Sequence, residues 1–167
     1  MKNGIKSVTL KLSQEGANYL QNGIFAKHFM DIMSELQVNF VFDKETNEPE
    51  LIYGPTAFFN LYELAVRWNM FPERVVTAIL ELKDNGLLSF TLADDDFVIE
   101  PEIATFVSDD DLTFRGSAIG VDALNYDFDN MDEVDKVQIM SYLASLTTVV
   151  FSAEQLAAGS LAVNAKD

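Results

Sequence analysis

Apolar and polar positions alternate from Ser7 to Leu12, and the stretch is rich in β-branched residues. It predicts a short strand at a sheet edge softened by Lys11. From Ala17 to Leu36 the period changes to three and four residues through Leu20, Ile24, Phe25, Phe29, Ile32, Met33 and Leu36. This marks one face of an amphipathic helix with a weak point near Gly23. Val38 to Phe42 and Leu51 to Tyr53 read as a hairpin across a polar turn, with Gly54-Pro55 ending the second strand. Asn60 is placed to cap a helix running to Trp68. Pro72 opens another that ends near Asn85, with Gly86 as its left-handed stop. Leu87 to Leu92 and Phe97 to Ile99 form a second predicted hairpin, joined by Ala93-Asp94-Asp95-Asp96.

Beyond Glu100 the pattern weakens, and the segment to Asn130 reads as a loop-rich or partly helical connection. Helical spacing returns from Met131 to about Thr148. Ser152 and Gln155 then suit a capping box opening a last helix from Ala153 to about Ala165. The class is α+β: a helix-turn-helix core preceded by a strand and a helix and followed by a C-terminal helical appendage. The expected division is 1–100 for the core domain and 101–167 for an acidic connection and terminal helices. The last helix carries few charges and must pack against either its own domain or a second copy, so a homodimer is an expected assembly.

Composition narrows the chemistry. Hydrophobic residues are 49% and charged residues 23% of the 167 positions, as in ordinary globular domains, and one sizeable core fits this length. With no cysteine there is no thiolate ligand, disulfide or cysteine nucleophile. Lysines interrupt the first residues and apolar runs are short, so a cytoplasmic, non-membrane protein is expected. Charge is the outlying property: 27 acidic against 11 basic residues give −16. Residues 1–90 hold 8 basic and 11 acidic residues (−3), and residues 91–167 hold 3 and 16 (−13).

The stretch from Asn60 to Leu88 resembles the helix-turn-helix of winged-helix proteins. Its marks are Glu63-Leu64-Ala65 in the first helix, a short turn, and paired aliphatics in the second. Lys83-Asp84-Asn85-Gly86-Leu87-Leu88 then leads into a wing. The resemblance implies a winged helix, a scaffold used for DNA binding, protein docking and dimerisation alike. DNA-binding members need Lys and Arg on the second helix and wing. Here Glu73, Arg74, Thr77, Glu81 and Asp84 are the expected exposed positions, and the wing tip is Asp94, Asp95 and Asp96. An aspartate facing a phosphate adds repulsion of roughly 1 kcal/mol at close range in water.

A second acidic field follows in Asp109, Asp110, Asp111, Asp127 and Asp129, while Asp132, Glu133 and Asp135 are partly explained by helix capping. Asn125, Asp127 and Asp129 alternate like EF-hand ligands. Asn130 and Lys136, however, stand where the glycine and the bidentate glutamate are required, so no metal is expected. His28 reads as a surface or half-buried imidazole with no assigned role, and Trp68 as core. Catalytic motifs and cofactor loops are absent, so an enzyme is not expected.

In size, acidity and lack of catalytic motifs the whole chain is similar to acidic DNA-mimic proteins, in particular Twort-type phage host-takeover inhibitors of the bacterial DNA polymerase sliding clamp. The resemblance implies carboxylates standing in for phosphates in a basic DNA channel, with Asp94, Asp95, Asp96, Asp109, Asp110, Asp111, Asp127 and Asp129 as contacts, no cofactor and no direct nucleic-acid binding. Two other readings stay open. One is a winged-helix DNA-binding regulator or replication accessory using Lys2, Lys6, Lys11, Arg67, Arg74 and Lys83; the other is an adaptor whose winged helix only mediates assembly.

Overall fold

The computed structural model describes residues 5–42, 44–46, 49–108, 113–115 and 130–162. Strand β1 (Ile5–Leu12) buries Ile5, Val8, Leu10 and Leu12, and then Ser13 caps helix α1 (Gln14–Asn22), its hydroxyl accepting the Gly16 N–H at 3.2 Å. The expected long helix is two. Gly23 leaves helical geometry and α2 (Ala26–Ser34) starts after Phe25, with the Phe25 N–H donating to the Tyr19 hydroxyl at 3.1 Å across the break. Strands β2 (Gln37–Phe42) and β3 (Pro49–Asn60) pair antiparallel. Gly54-Pro55 does not end β3. One extra residue is absorbed where Gln37 faces Thr56 and Asn39 faces Tyr53, which is how a strand tolerates a residue lacking an N–H.

Asn60 closes β3 and caps helix α3 (Leu61–Trp68), its side-chain oxygen accepting the Tyr62 and Glu63 N–H groups at 3.0 and 3.2 Å. Asn69 then turns left-handed at φ 53°. The Met70 N–H donates to the Ala65 carbonyl at 3.0 Å and the Asn69 N–H to that of Val66 at 3.2 Å, a Schellman closure. Helix α4 (Pro72–Asp84) begins on its proline and ends on Gly86 at φ 77° through the same pair of bonds. Strands β4 (Leu88–Ala93) and β5 (Asp96–Pro101) follow, and β5 also pairs β3, so this sheet has the order β2-β3-β5-β4.

The segment after Glu100 departs from the expected loop. β6 (Ile103–Ser108) and β7 (Thr113–Arg115) are strands of a second antiparallel sheet ordered β7-β6-β1-β8. Helix α5 (Glu133–Ser145) stops earlier than its periodicity suggests, because Thr147, Thr148, Val149 and Val150 favour extended backbone. They form β8 (Thr147–Ser152) along β1. β1 is therefore central, not an edge, and the sheet joins strands from both sides of residue 100. The Ser152 capping box forms as expected at the start of α6 (Ala153–Ala162). The Ser152 N–H donates to the Gln155 side-chain oxygen at 2.8 Å, and the Gln155 N–H to the Ser152 hydroxyl at 3.3 Å.

Helix α6 lies on α2 of its own chain, with Gly159 against the Met30 carbonyl. One continuous core runs from β1 through Phe29, Ile32, Met33, Trp68, Ile79 and Leu82 to Phe97, Phe151 and Leu156. The architecture is mixed α+β, and no helix among the described residues is long and apolar enough to cross a membrane.

Candidate partner-binding face

Helix α3 organises the most featured surface of the molecule. At its N-terminus stands the β4–β5 turn, where Asp94 holds a positive φ of 55° that Asp tolerates better than most residues. The Asp95 carbonyl accepts the Leu61 N–H at 2.7 Å, and the Asp96 carboxylate accepts the Asn60 side-chain N–H at 3.2 Å. Asp96 thus has a structural task, orienting the residue that caps α3. Asp94, Asp95 and Asp96 are all exposed, as expected.

The other predicted acids, Asp109, Asp110, Asp111, Asp127 and Asp129, lie outside the described residues. On α4, Glu73, Arg74, Thr77 and Asp84 are exposed as expected. Glu81 is half-buried and accepts a hydrogen bond from the Tyr19 hydroxyl. Burial, and then that bond, push the Tyr19 hydroxyl up to about 12.

The inner side of α3 is held by a buried ionic cluster with no counterpart in the sequence reading. Asp31 of α2 is fully buried. It accepts the Arg67 Nε–H at 2.8 Å and a second Arg67 N–H at 2.6 Å, and the Trp68 indole N–H at 2.7 Å. Arg67 also donates to Glu35 at 3.2 Å and stacks 5.8 Å from the Phe59 ring centroid. Three of the fork's protons thus meet carboxylate oxygens while the rest of the guanidinium, one-third exposed, reaches toward solvent, the kind of pairing under which a buried carboxylate charge is tolerated. The Asp31 hydrogen bonds raise the Arg67 pKa further above its already high range.

His28 fills the adjoining space, edge-on to Trp68 at 4.8 Å and to Phe25 at 5.5 Å, and its Nδ1 is buried without a hydrogen-bond partner. Burial holds its pKa below the ordinary 6.5 against the attraction of Asp31, with Arg74 and Lys27 adding to the depression. The unfolded chain therefore takes up this proton at a higher pH than the folded one. The His28 contribution is complete above pH 6.5 and is lost as pH falls through the window beneath it. His28→Gln is expected to flatten that part of the stability profile in urea titrations between neutral and mildly acid pH; an unchanged slope would place His28 in solvent.

The outer side of α3 is apolar. Tyr62 and Val66, one helical turn apart, form a ridge, and Asn69, Met70, Phe71 and Pro72 continue it around the turn to Arg74. They line an open groove of about 840 Å³. The Arg74 guanidinium lies 5.1 Å above the Phe25 ring. Sequence reasoning passed over Tyr62, Val66 and Phe71, although the first two fall off the apolar stripe of Leu64, Ala65 and Trp68. Among the described residues no cluster of three or more His, Asp or Glu side chains could hold a metal ion. The chain matches no protein-family model, no curated protein and no solved structure.

Proposed function

We propose that this chain is a non-enzymatic inhibitor of the winged-helix kind that acts as a DNA mimic. It would occupy the basic DNA channel of a DNA-handling protein, the bacterial replicase sliding clamp being the expected partner, and so block DNA loading. The path β3-α3-α4-β4-β5, with β5 between β3 and β4, supports the winged-helix reading. The observation that carries the function is the exposure of Asp94, Asp95 and Asp96 together at the hairpin tip, where a DNA reader needs cations. A net charge of −16 adds long-range steering toward a basic partner.

The regulator alternative draws less support. Arg67, one of its six cations, is committed to Asp31 and Glu35, and Lys6 and Lys11 belong to β1, in the other sheet from the β4–β5 hairpin.

The test is titration of purified bacterial sliding clamp with the protein across a salt series, with duplex DNA as competitor. Binding is expected to weaken with salt and to be displaced by duplex. D94N/D95N/D96N is expected to lower affinity about tenfold or more and to shallow the salt slope, since three rim charges of about 0.5–1 kcal/mol each are removed. Failure of the clamp to bind at low salt overturns the reading.

A further inference from the structure

The ridge on the outer side of α3 is more exposed than large side chains of this kind ordinarily are: Val66 is 83% accessible, Phe71 80% and Tyr62 55%. The groove they border is preformed. Asn69 is locked by its left-handed turn and Schellman bonds, and the Pro72 ring pre-sets the first turn of α4, so an occupant need not order the backbone first. Of its lining residues Arg74 is charged, with its guanidinium drawn over the Phe25 ring, while the residues around that lining are acidic. Glu63 and Glu73 are exposed next to Tyr62 and Pro72 in the chain, and Asp95 and Asp96 are hydrogen-bonded to the residues that open the same helix. From that end of α3 to Val66 is roughly 10 Å at the helical rise.

We infer that this groove is a docking site for a protein segment carrying an aliphatic or aromatic side chain about 10 Å from a group of lysines or arginines. The charge selects this occupant. A nucleic acid would bring phosphates to the carboxylates and has no apolar side chain for the ridge, while a second copy would bring another −16. The inference takes the cationic nature of the partner from the mimic reading and adds an apolar anchor that DNA itself cannot supply. Carboxylates would govern approach and salt dependence, and the Val66–Phe71 ridge would govern residence once bound.

Two short fluorescent peptides of equal charge test this by anisotropy. One is made of lysine and serine; in the other, leucine and phenylalanine replace the serines at one end. The apolar peptide is expected to bind about tenfold tighter, the equivalent of burying one large side chain. V66S/F71S should abolish that preference without lowering the unfolding transition, since both positions are exposed and Ser at the N-cap of α4 can only strengthen that helix start, whereas D94N/D95N/D96N should weaken both peptides alike. Equal binding of the two peptides to the unaltered protein, or a preference that survives V66S/F71S, overturns the groove. A persistent preference in a protein that does not bind the sliding clamp upholds the groove and overturns only the mimic reading.

Discussion

Arg67→Ala is expected to lower the free energy of unfolding by about 3 kcal/mol, measured by urea denaturation, the low end for breaking a buried pair because the arginine is itself one-third exposed. Most of that loss comes from Asp31. Left without its fork, a carboxylate at 0% accessibility retains only the Trp68 indole N–H as a donor and must either carry an unpaired charge or take up a proton. Arg67→Lys should recover only part of the loss, since an ammonium cannot make the bidentate contact and reach Glu35 with the same planar geometry. The paired replacement D31L/R67M should be milder than either single change, because it removes both charges from the interior together and leaves the unpaired Trp68 indole N–H as the main remaining cost. If Arg67→Ala shifted stability by less than about 0.5 kcal/mol, the cluster would be solvated and the anchoring of α3 to α2 would need another origin.

The next largest expected effect is at Gly159. There a Cβ would run into the Met30 carbonyl, which is backbone and cannot swing aside as the end of a side chain could. Gly159→Val should therefore force α6 off α2, at about 2–3 kcal/mol of strain and lost burial. Hydrogen exchange is the discriminating measurement: amides of α6 should lose protection while those of α3 and α4 keep theirs. Full protection of α6 in the variant would mean that the helix is held by something other than this contact.

Many of the helix boundaries were legible because their signals are local. Asn60 as a cap, Pro72 at a first turn, Gly86 as a left-handed stop and the Ser152–Gln155 box each depend on residues within a few positions of one another, and all four occur where the side-chain chemistry put them. The acidic hairpin tip was legible for the same reason, as a polar tetrapeptide between two apolar runs. The second sheet was not. Its strands β6, β7 and β8 have weak or misleading periodicity on their own, and they become strands by hydrogen bonding to β1, or to one another, from distant parts of the chain. The helix pattern from Met131 overran into Thr147 and Thr148 for that reason, although the β-branched run there was a signal that could have stopped it.

The candidate site divides the same way. Composition alone places a large negative charge on the chain, and the order of residues puts three aspartates in one turn and apolar residues off the main stripe of α3. Only the tertiary structure sets that turn against the N-terminus of α3, buries Asp31 beneath Arg67 and leaves Val66 and Phe71 beside an open groove. The physical reason is that capping and turn chemistry act over one helical turn. Which charge is buried, which apolar face is left uncovered and which strand is central depend on packing between segments that are far apart in the chain.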